Sequence, residues 1–190
     1  KADANTEVEA PDTLTLPGTT HALSNYAGES CGNGKVTLSY AFAESCNTPF
    51  AQLAMDVGDT ALSDEATAWG FGESESIPLD VTPSTYPATS SDAETAMAGI
   101  GQASVRATPL MMAQVAETIA NGGKQMRPYL VSQTLDPDLN VVSTTSPKEA
   151  RAPISSQTAQ TLSSLMQQAV SDGTGSSAQV AGVSVAGKTG

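Results

Sequence analysis

The 190-residue chain is poor in the residues that most catalytic and metal sites use. It has one histidine, His21, and two cysteines, Cys31 and Cys46. A Ser-His-Asp or Cys-His mechanism would therefore depend on His21 alone, and the Thr/Ser/Asn-rich surroundings of His21 are more typical of a surface loop. Neither a CxxC nor an HExxH pattern occurs, so the sequence predicts no metal site and implies no cofactor.

Long apolar runs and basic residues are also scarce. No segment approaches the roughly 18 to 20 apolar residues of a membrane-spanning helix, and the first residues lack the apolar centre of a signal peptide. Eight Lys plus Arg stand against 20 Asp plus Glu, which gives a formal charge of -12. Such a surface repels nucleic-acid phosphates and argues against nucleic-acid binding. The composition otherwise fits a globular domain.

Two helix signals meet in the segment SCNTPFAQLAMDVG. Thr37 is a capping residue for one helix, and Thr48 followed by proline begins a second. The Ser-Cys-Asn triplet at 45–47 therefore lies in a tight connection between helices. Ser45 and Asn47 are two positions apart, a spacing that allows both side chains to face the same way.

The two cysteines lie on either side of a glycine-containing stretch. Cys31 and Cys46 are 15 positions apart, with two glycines close after Cys31. This spacing allows the sulfurs to meet in one disulfide. Two buried thiols are the alternative in a reducing compartment.

The rest of the chain predicts helices alternating with short strands. The helix that begins at Thr108 carries apolar residues on most sides, which predicts that it is buried. The other predicted elements are a strand at 13–16, a helix from Ser63 through Trp69, a strand near 77–81 within a long surface connection, a hairpin of strands 129–135 and 140–143, a helix from 155 or 156 to 172, and a strand at 180–186.

The last predicted strand runs into a Lys-Thr-Gly triplet. An ammonium, a hydroxyl and an open backbone together suit an anionic ligand. With SCN, GIGQASVRATPLMMAQVAETIANGG and VAGKTG in this order, the chain resembles the transpeptidase domain of penicillin-binding proteins, serine acyltransferases whose SxxK, SxN and KTG motifs converge. The resemblance covers about residues 13–190 and is closer to class B. It makes 1–190 one partial domain, with SxN at 45–47 and KTG at 188–190.

The resemblance implies a role for each motif residue. Ser45 would lie on the proton-transfer route to the leaving group, and Asn47 would hold a substrate peptide group. Lys188 would keep the site positive and hydrogen-bond with Ser45. Thr189 would bind the substrate or β-lactam carboxylate, and Gly190 would leave room for substrate to add as a β-strand.

The resemblance also implies a fold, a location and partners. The fold would be α+β, an antiparallel sheet covered by helices, with a helical subdomain beside the cleft. The domain would lie outside the cytoplasmic membrane, anchored by an upstream helix, and would act on peptidoglycan stem peptides and bind β-lactams. That location favours a Cys31–Cys46 disulfide, with Cys46 pointing away from the pocket. Open sheet edges in an incomplete domain would favour self-association.

One of the three motifs is absent from these residues. No serine is followed three positions later by lysine. In the family this motif supplies the nucleophile and its base, and the strand after KTG supplies an oxyanion-hole N–H. We expect both to lie outside this chain, which would leave the piece inactive alone. Two alternatives remain: a β-lactam-sensing or binding domain on the same scaffold, and a mixed α/β domain in which SCN is only a helix junction.

Overall fold

The computed structural model describes residues 3–74 and 77–190. Six α-helices and eight short strands form in this part of the chain, which confirms the α+β class. The helices are α1 (Leu38–Ala43), α2 (Asn47–Val57), α3 (Asp59–Trp69), α4 (Asp92–Gly99), α5 (Pro109–Ala120) and α6 (Ser156–Ser171). The strands are β1 (Glu7–Ala10), β2 (Thr13–Thr15), β3 (Ala22–Ser24), β4 (Gly34–Thr37), β5 (Gln125–Met126), β6 (Gln133–Leu135), β7 (Val141–Thr144) and β8 (Glu149–Arg151).

The described strands pair two by two rather than in one broad sheet. All four pairs are antiparallel: β1 with β4, β2 with β3, β5 with β8, and β6 with β7. The strand predicted at 13–16 is present as β2, whereas β1, β3 and β4 were not among the predicted elements. The β1–β4 pair packs on α1 and α2, so it supports the junction between those helices.

Small residues bring α2 and α4 close together. Ala51 and Ala96 are both fully buried where the two helices meet. A Cβ added at Gly99 would lie 2.2 Å from the Cβ of Ala54, so only glycine fits at that position. The end of α4, and the loop that follows it, are thereby held next to the start of α2.

Two helices differ from the sequence prediction. The α3 helix begins at Asp59 rather than Ser63, because Gly58, with φ of 86°, ends α2 and caps α3 at once. The α4 helix was not predicted. Its signal is present as Ser91 followed three positions later by Glu94: Ser91 caps the Glu94 N–H, while the Glu94 carboxylate accepts the Ser90 N–H at 2.7 Å.

The predicted α5, α6 and hairpin are confirmed, but the burial of α5 is not. Thr108 caps α5 and its Oγ1 accepts the Met111 N–H. Met111 is buried, whereas Met112 is 53% exposed, so α5 buries one face rather than its whole surface. The β6–β7 hairpin turns at 136–140 and is exposed along both strands.

Two predicted strands are wrong. Residues 77–81 form no strand. The segment 180–186 makes only one isolated bridge, between Val180 and Val183 around Gly182, because no neighbouring strand among the described residues pairs with it. Within residues 3–74 and 77–190, no helix has the length and apolar character needed to cross a membrane.

Candidate active site

The serine of SCN and the lysine of KTG meet although 143 positions separate them. Lys188 Nζ donates to Ser45 Oγ at 2.6 Å. The pair lies in a cleft with a volume of about 320 Å³. Its lining residues are Phe42, Ser45, Cys46, Asn47, Phe50, Gly99, Ile100, Gln102, Lys188, Thr189 and Gly190. Every motif residue that the sequence singled out therefore lies at one cleft.

The Ser45 side chain is presented by a tight turn between α1 and α2. The α1 helix ends as the Ser45 N–H donates to the Phe42 carbonyl and the Cys46 N–H donates to the Ala41 carbonyl. Ser45 adopts φ of 56°, in the left-handed region. For a residue with a Cβ this conformation costs about 1 to 2 kcal/mol, so surrounding contacts must hold the turn.

A disulfide provides one of those contacts. Cys46 is joined to Cys31, with their Cα atoms 6.0 Å apart. Cys31 is 2% exposed and Cys46 is 5% exposed, and both pack in a cluster with Val8 and Ala41. Cys46 therefore contributes to the cleft wall, while its sulfur is committed to the core and to the loop that carries Cys31.

Asn25 provides the second contact from outside the motif. Its Oδ1 accepts the backbone N–H groups of Asn47 and Thr48, at 2.8 and 3.2 Å. The Cys46 side chain makes no capping bond to α2, so Asn25 caps that helix from another part of the chain. The Asn47 side chain donates to the Ser24 carbonyl at 3.0 Å, which fixes its amide at the cleft.

The Lys188 ammonium has no acidic partner among the residues that the structure describes. Besides Ser45, it donates to the Thr189 carbonyl at 2.8 Å and lies 5.7 Å from the centre of the Phe42 ring. None of the three ion pairs among the described side chains includes Lys188. Partial burial lowers the pKa of Lys188 from its usual value, because desolvation disfavours the charged form. An anion bound in the cleft would offset that desolvation.

The other two residues of the triplet are placed differently. Thr189 Oγ1 lies 2.7 Å from Thr174 Oγ1 and 3.4 Å from Lys188 Nζ. A Cβ added at Gly190 would meet no atom within 4 Å, because the position faces open space. A ligand can approach the Gly190 backbone without displacing other groups.

Several lining residues were not identified from the sequence. Phe42 and Phe50 pack edge to face, with ring centroids 6.3 Å apart, and make one side of the cleft apolar. Ile100 and Gln102, from the loop after α4, also line the cleft. The sequence marks this loop only by its glycine-rich GIGQ segment. The loop reaches the cleft because α4 packs on α2, which the sequence alone does not show.

Comparison with known proteins identifies the domain. The family model for the penicillin-binding protein transpeptidase domain matches residues 1–190. The chain belongs to this family. Among named relatives, it is 42% identical over 191 residues to the peptidoglycan D,D-transpeptidase PbpA of Mycolicibacterium smegmatis, and the match covers 100% of this chain and 39% of that protein. The PbpA of Mycobacterium tuberculosis is also 42% identical, over 97% of this chain and 38% of that protein.

Solved structures of transpeptidase domains share the fold. The ceftriaxone acyl-enzyme complex of M. tuberculosis penicillin-binding protein A has a TM-score of 0.92 and 41% identity, covering 100% of this chain and 43% of that one. The D,D-transpeptidase domain of a peptidoglycan glycosyltransferase from Eggerthella lenta has a TM-score of 0.91 and 30% identity, covering 100% and 48%. The chain thus spans less than half the length of these relatives.

Proposed function

We propose that the protein containing this chain is a serine D,D-transpeptidase that cross-links peptidoglycan stem peptides and is acylated by β-lactams. The observation that carries the proposal is the 2.6 Å contact between Lys188 and Ser45, which joins the SxN and KTG motifs at one cleft. Membership of the transpeptidase family supports it, as do the relatives named D,D-transpeptidases.

The cleft suits a substrate that ends in a carboxylate. Lys188 supplies a positive charge that forms no ion pair within residues 3–74 and 77–190, in a chain whose formal charge is -12, and the Thr189 hydroxyl lies beside it. A stem peptide ending in D-Ala-D-Ala, or a β-lactam, brings a carboxylate to these two groups. Asn47 then holds a peptide group, and the open backbone at Gly190 lets the substrate lie alongside as an extended strand.

The Ser45–Lys188 pair is arranged to move a proton. Because the ammonium donates to Ser45 Oγ, the Ser45 hydroxyl proton is free to point at the substrate. As the scissile C–N bond breaks, the Ser45 hydroxyl would protonate the leaving nitrogen and recover a proton from Lys188. The lowered pKa of Lys188 favours that transfer.

The covalent step needs groups that these residues do not contain. An acyl-enzyme forms when a serine oxygen bonds to the substrate carbonyl carbon and the C–N bond breaks, with a base taking the serine proton. The SxxK pair that performs this step in the family does not occur in the 190 residues. We therefore propose that the nucleophile and its base come from another part of the protein, and that these residues alone form no acyl-enzyme.

The proposed substrate places the domain outside the cytoplasmic membrane. Stem peptides are cross-linked there, and the Cys31–Cys46 disulfide suits an oxidising compartment.

We also propose that the 190 residues alone self-associate. Val180 and Val183 are 55% and 60% exposed in a segment with no ladder partner among the described residues. Sedimentation velocity showing only a monomer at high concentration would contradict this association.

Intact-mass spectrometry tests the proposed activity. Penicillin G should add one covalent adduct to the protein that contains this chain, on a serine outside the 190 residues, and none to the 190 residues alone. The protein should also release D-alanine from a stem pentapeptide. An adduct on Ser45, or no adduct on the longer protein, would overturn the proposal. A stable adduct without any turnover of pentapeptide would instead indicate a β-lactam sensor.

A further inference from the structure

Thr174 lies outside all three motifs, yet it contacts the threonine of KTG and the end of the helix that precedes Ser45. Its Oγ1 lies 2.7 Å from Thr189 Oγ1. Its backbone N–H and its hydroxyl both approach the Ala43 carbonyl, at 3.1 and 3.2 Å. Ala43 is the last residue of α1, two positions before Ser45. Thr174 therefore links the helix end that presents the SxN serine to the hydroxyl of the KTG threonine.

Two flanking glycines hold Thr174 in this place. A Cβ added at Gly173 would lie 2.3 Å from the Ala43 carbonyl oxygen, and one at Gly175 would lie 3.0 Å from the Ala169 carbonyl oxygen. The backbone can approach α1 and α6 this closely only because both positions lack side chains. The position of Thr174 is thus fixed by packing on two helices.

The direction of the hydrogen bond between the two threonines decides what Thr189 offers to a ligand. Each hydroxyl has one proton to donate. If Thr189 donates to Thr174, its proton is used, and it presents only lone pairs to a carboxylate in the cleft. If Thr174 donates to Thr189, the Thr189 proton stays free to point at the ligand.

The contacts favour the second arrangement. The Ala43 carbonyl accepts the Thr174 backbone N–H at 3.1 Å, so it keeps a hydrogen-bond partner when the Thr174 hydroxyl proton is donated elsewhere. The distance between the two hydroxyls, 2.7 Å, is shorter than the 3.2 Å from Thr174 Oγ1 to the carbonyl. Thr189 also accepts from Lys188 at 3.4 Å. With both lone pairs of Thr189 Oγ1 accepting hydrogen bonds, the Thr189 hydroxyl can interact with a ligand only by donating its own proton.

We infer that Thr174 is a positioning residue: it donates its hydroxyl proton to Thr189, so that Thr189 donates its own to the carboxylate of the bound substrate or β-lactam. The inference rests on the proposed function, because the carboxylate is that of the proposed ligand. It assigns Thr174 a role in carboxylate recognition without direct contact with the ligand.

The test compares acylation by penicillin G with acylation by its methyl ester, in the protein that contains this chain. Thr174→Val removes the hydroxyl at nearly constant volume, and Thr174→Ser keeps it. We expect Thr174→Val to lower the second-order acylation rate with penicillin G on the order of 10-fold, the effect of one hydrogen bond to a charged group. Thr174→Ser should stay within about 3-fold of wild type. The ester should react equally with all three proteins.

Controls separate this inference from its alternatives. Thr161→Val removes a hydroxyl bonded to a backbone carbonyl on α6, away from the cleft lining, and should change neither rate. Thermal unfolding checks that each variant folds. An unchanged rate in Thr174→Val, or an equal loss with acid and ester, would overturn the inference while leaving the proposed function intact. Failure of wild type to be acylated by either compound would overturn both.

Discussion

The cleft junction and the β6–β7 hairpin are both short turns between regular elements, yet they are held in opposite ways. The turn at Ser45 is fixed by distant residues: Cys31, Asn25 and Lys188 all reach it from other parts of the chain. The hairpin turn is held by its own residues, since Asp136 accepts from the N–H groups at 138 and 140. The first arrangement depends on the whole fold, whereas the second can form locally.

This difference distinguishes the turn at Ser45, which forms part of the cleft, from the hairpin turn, which only connects two strands. A turn that is fixed by contacts from several parts of the chain keeps its geometry when a ligand binds. Those contacts can also hold a serine in the left-handed backbone conformation. A turn held only by its own side chains can open alone without disturbing the rest. Changes at the junction should therefore affect acylation and global stability, while changes in the hairpin should stay local.

The largest effect is expected from removing the charge at the cleft. In the protein that contains this chain, Lys188→Ala should lower the acylation rate by about 10² to 10³, as the loss of a preorganised donor does in acyl-transfer sites. Lys148→Ala, beside the hairpin, should leave the rate unchanged. Stopped-flow measurement with a fluorescent penicillin would check this. Equal rates in the two variants would show that the Ser45–Lys188 contact has no part in acyl transfer.

The next effect concerns the disulfide. Replacing Cys31 and Cys46 together by serine should lower the free energy of unfolding by about 3 kcal/mol, because the unfolded chain loses the constraint of a closed loop of this size. Chemical denaturation of the 190-residue chain would measure the change. Hairpin amide shifts in NMR spectra should stay in place. Altered hairpin shifts would mean that the two regions are coupled.

A smaller effect is expected from the distant cap. Asn25→Ala should lower the free energy of unfolding by about 1 to 2 kcal/mol, since two N–H groups at the start of α2 lose their acceptor. The matched change in the hairpin, Asn140→Ala, should shift the melting temperature by no more than about 2 °C. Calorimetry of both variants gives the comparison. If Asn140→Ala lowered the melting temperature more than Asn25→Ala, the hairpin turn, and not the turn at Ser45, would be the one that global stability depends on.

The smallest effect is a response of the hairpin to acid. Hydrogen bonds from the Asn140 side chain and backbone hold the pKa of Asp136 below its usual 3.8. Because the pKa of Asp136 is lower in the folded turn than in the unfolded chain, its ionised carboxylate stabilises the turn at pH values above the usual pKa. That stabilisation is lost as the pH falls through the lowered pKa. The amide shifts at 138 and 140 should therefore move below pH 3.8 while those at Ser45 stay fixed. Simultaneous movement would contradict independent opening.

The sequence predicted local features better than those that depend on distant partners. Thr108 and Pro109 mark the start of α5 correctly because a cap and its first turn are made within a few residues. The segment 180–186 has strand-like alternation, but a strand forms only when a neighbour supplies its hydrogen bonds, and none does so among the described residues.

The site shows the same division. Ser45, Asn47 and Lys188 could be named from their motifs, and the structure places all three at one cleft. Asn25 and Thr174 could not be found, since neither belongs to a motif and each acts through a contact between distant positions. Phe50 carried only the helical spacing of a core residue. Its second role, as cleft lining, depends on which part of α2 stays uncovered.

The close contact between Gly99 and Ala54 joins two parts of the cleft lining, because Gly99 belongs to the lining and Asn47 and Phe50 lie on the same helix as Ala54. Because a methyl group at position 99 would lie 2.2 Å from the Ala54 side chain, it would force the two helices apart, and Ile100 and Gln102 would move outward with α4. If the proposed function is correct, this pair of small residues would therefore affect how β-lactams with bulky side chains fit beside Asn47. A change in this helix spacing would then alter the shape of the cleft while Ser45, Asn47 and Lys188 stay unchanged.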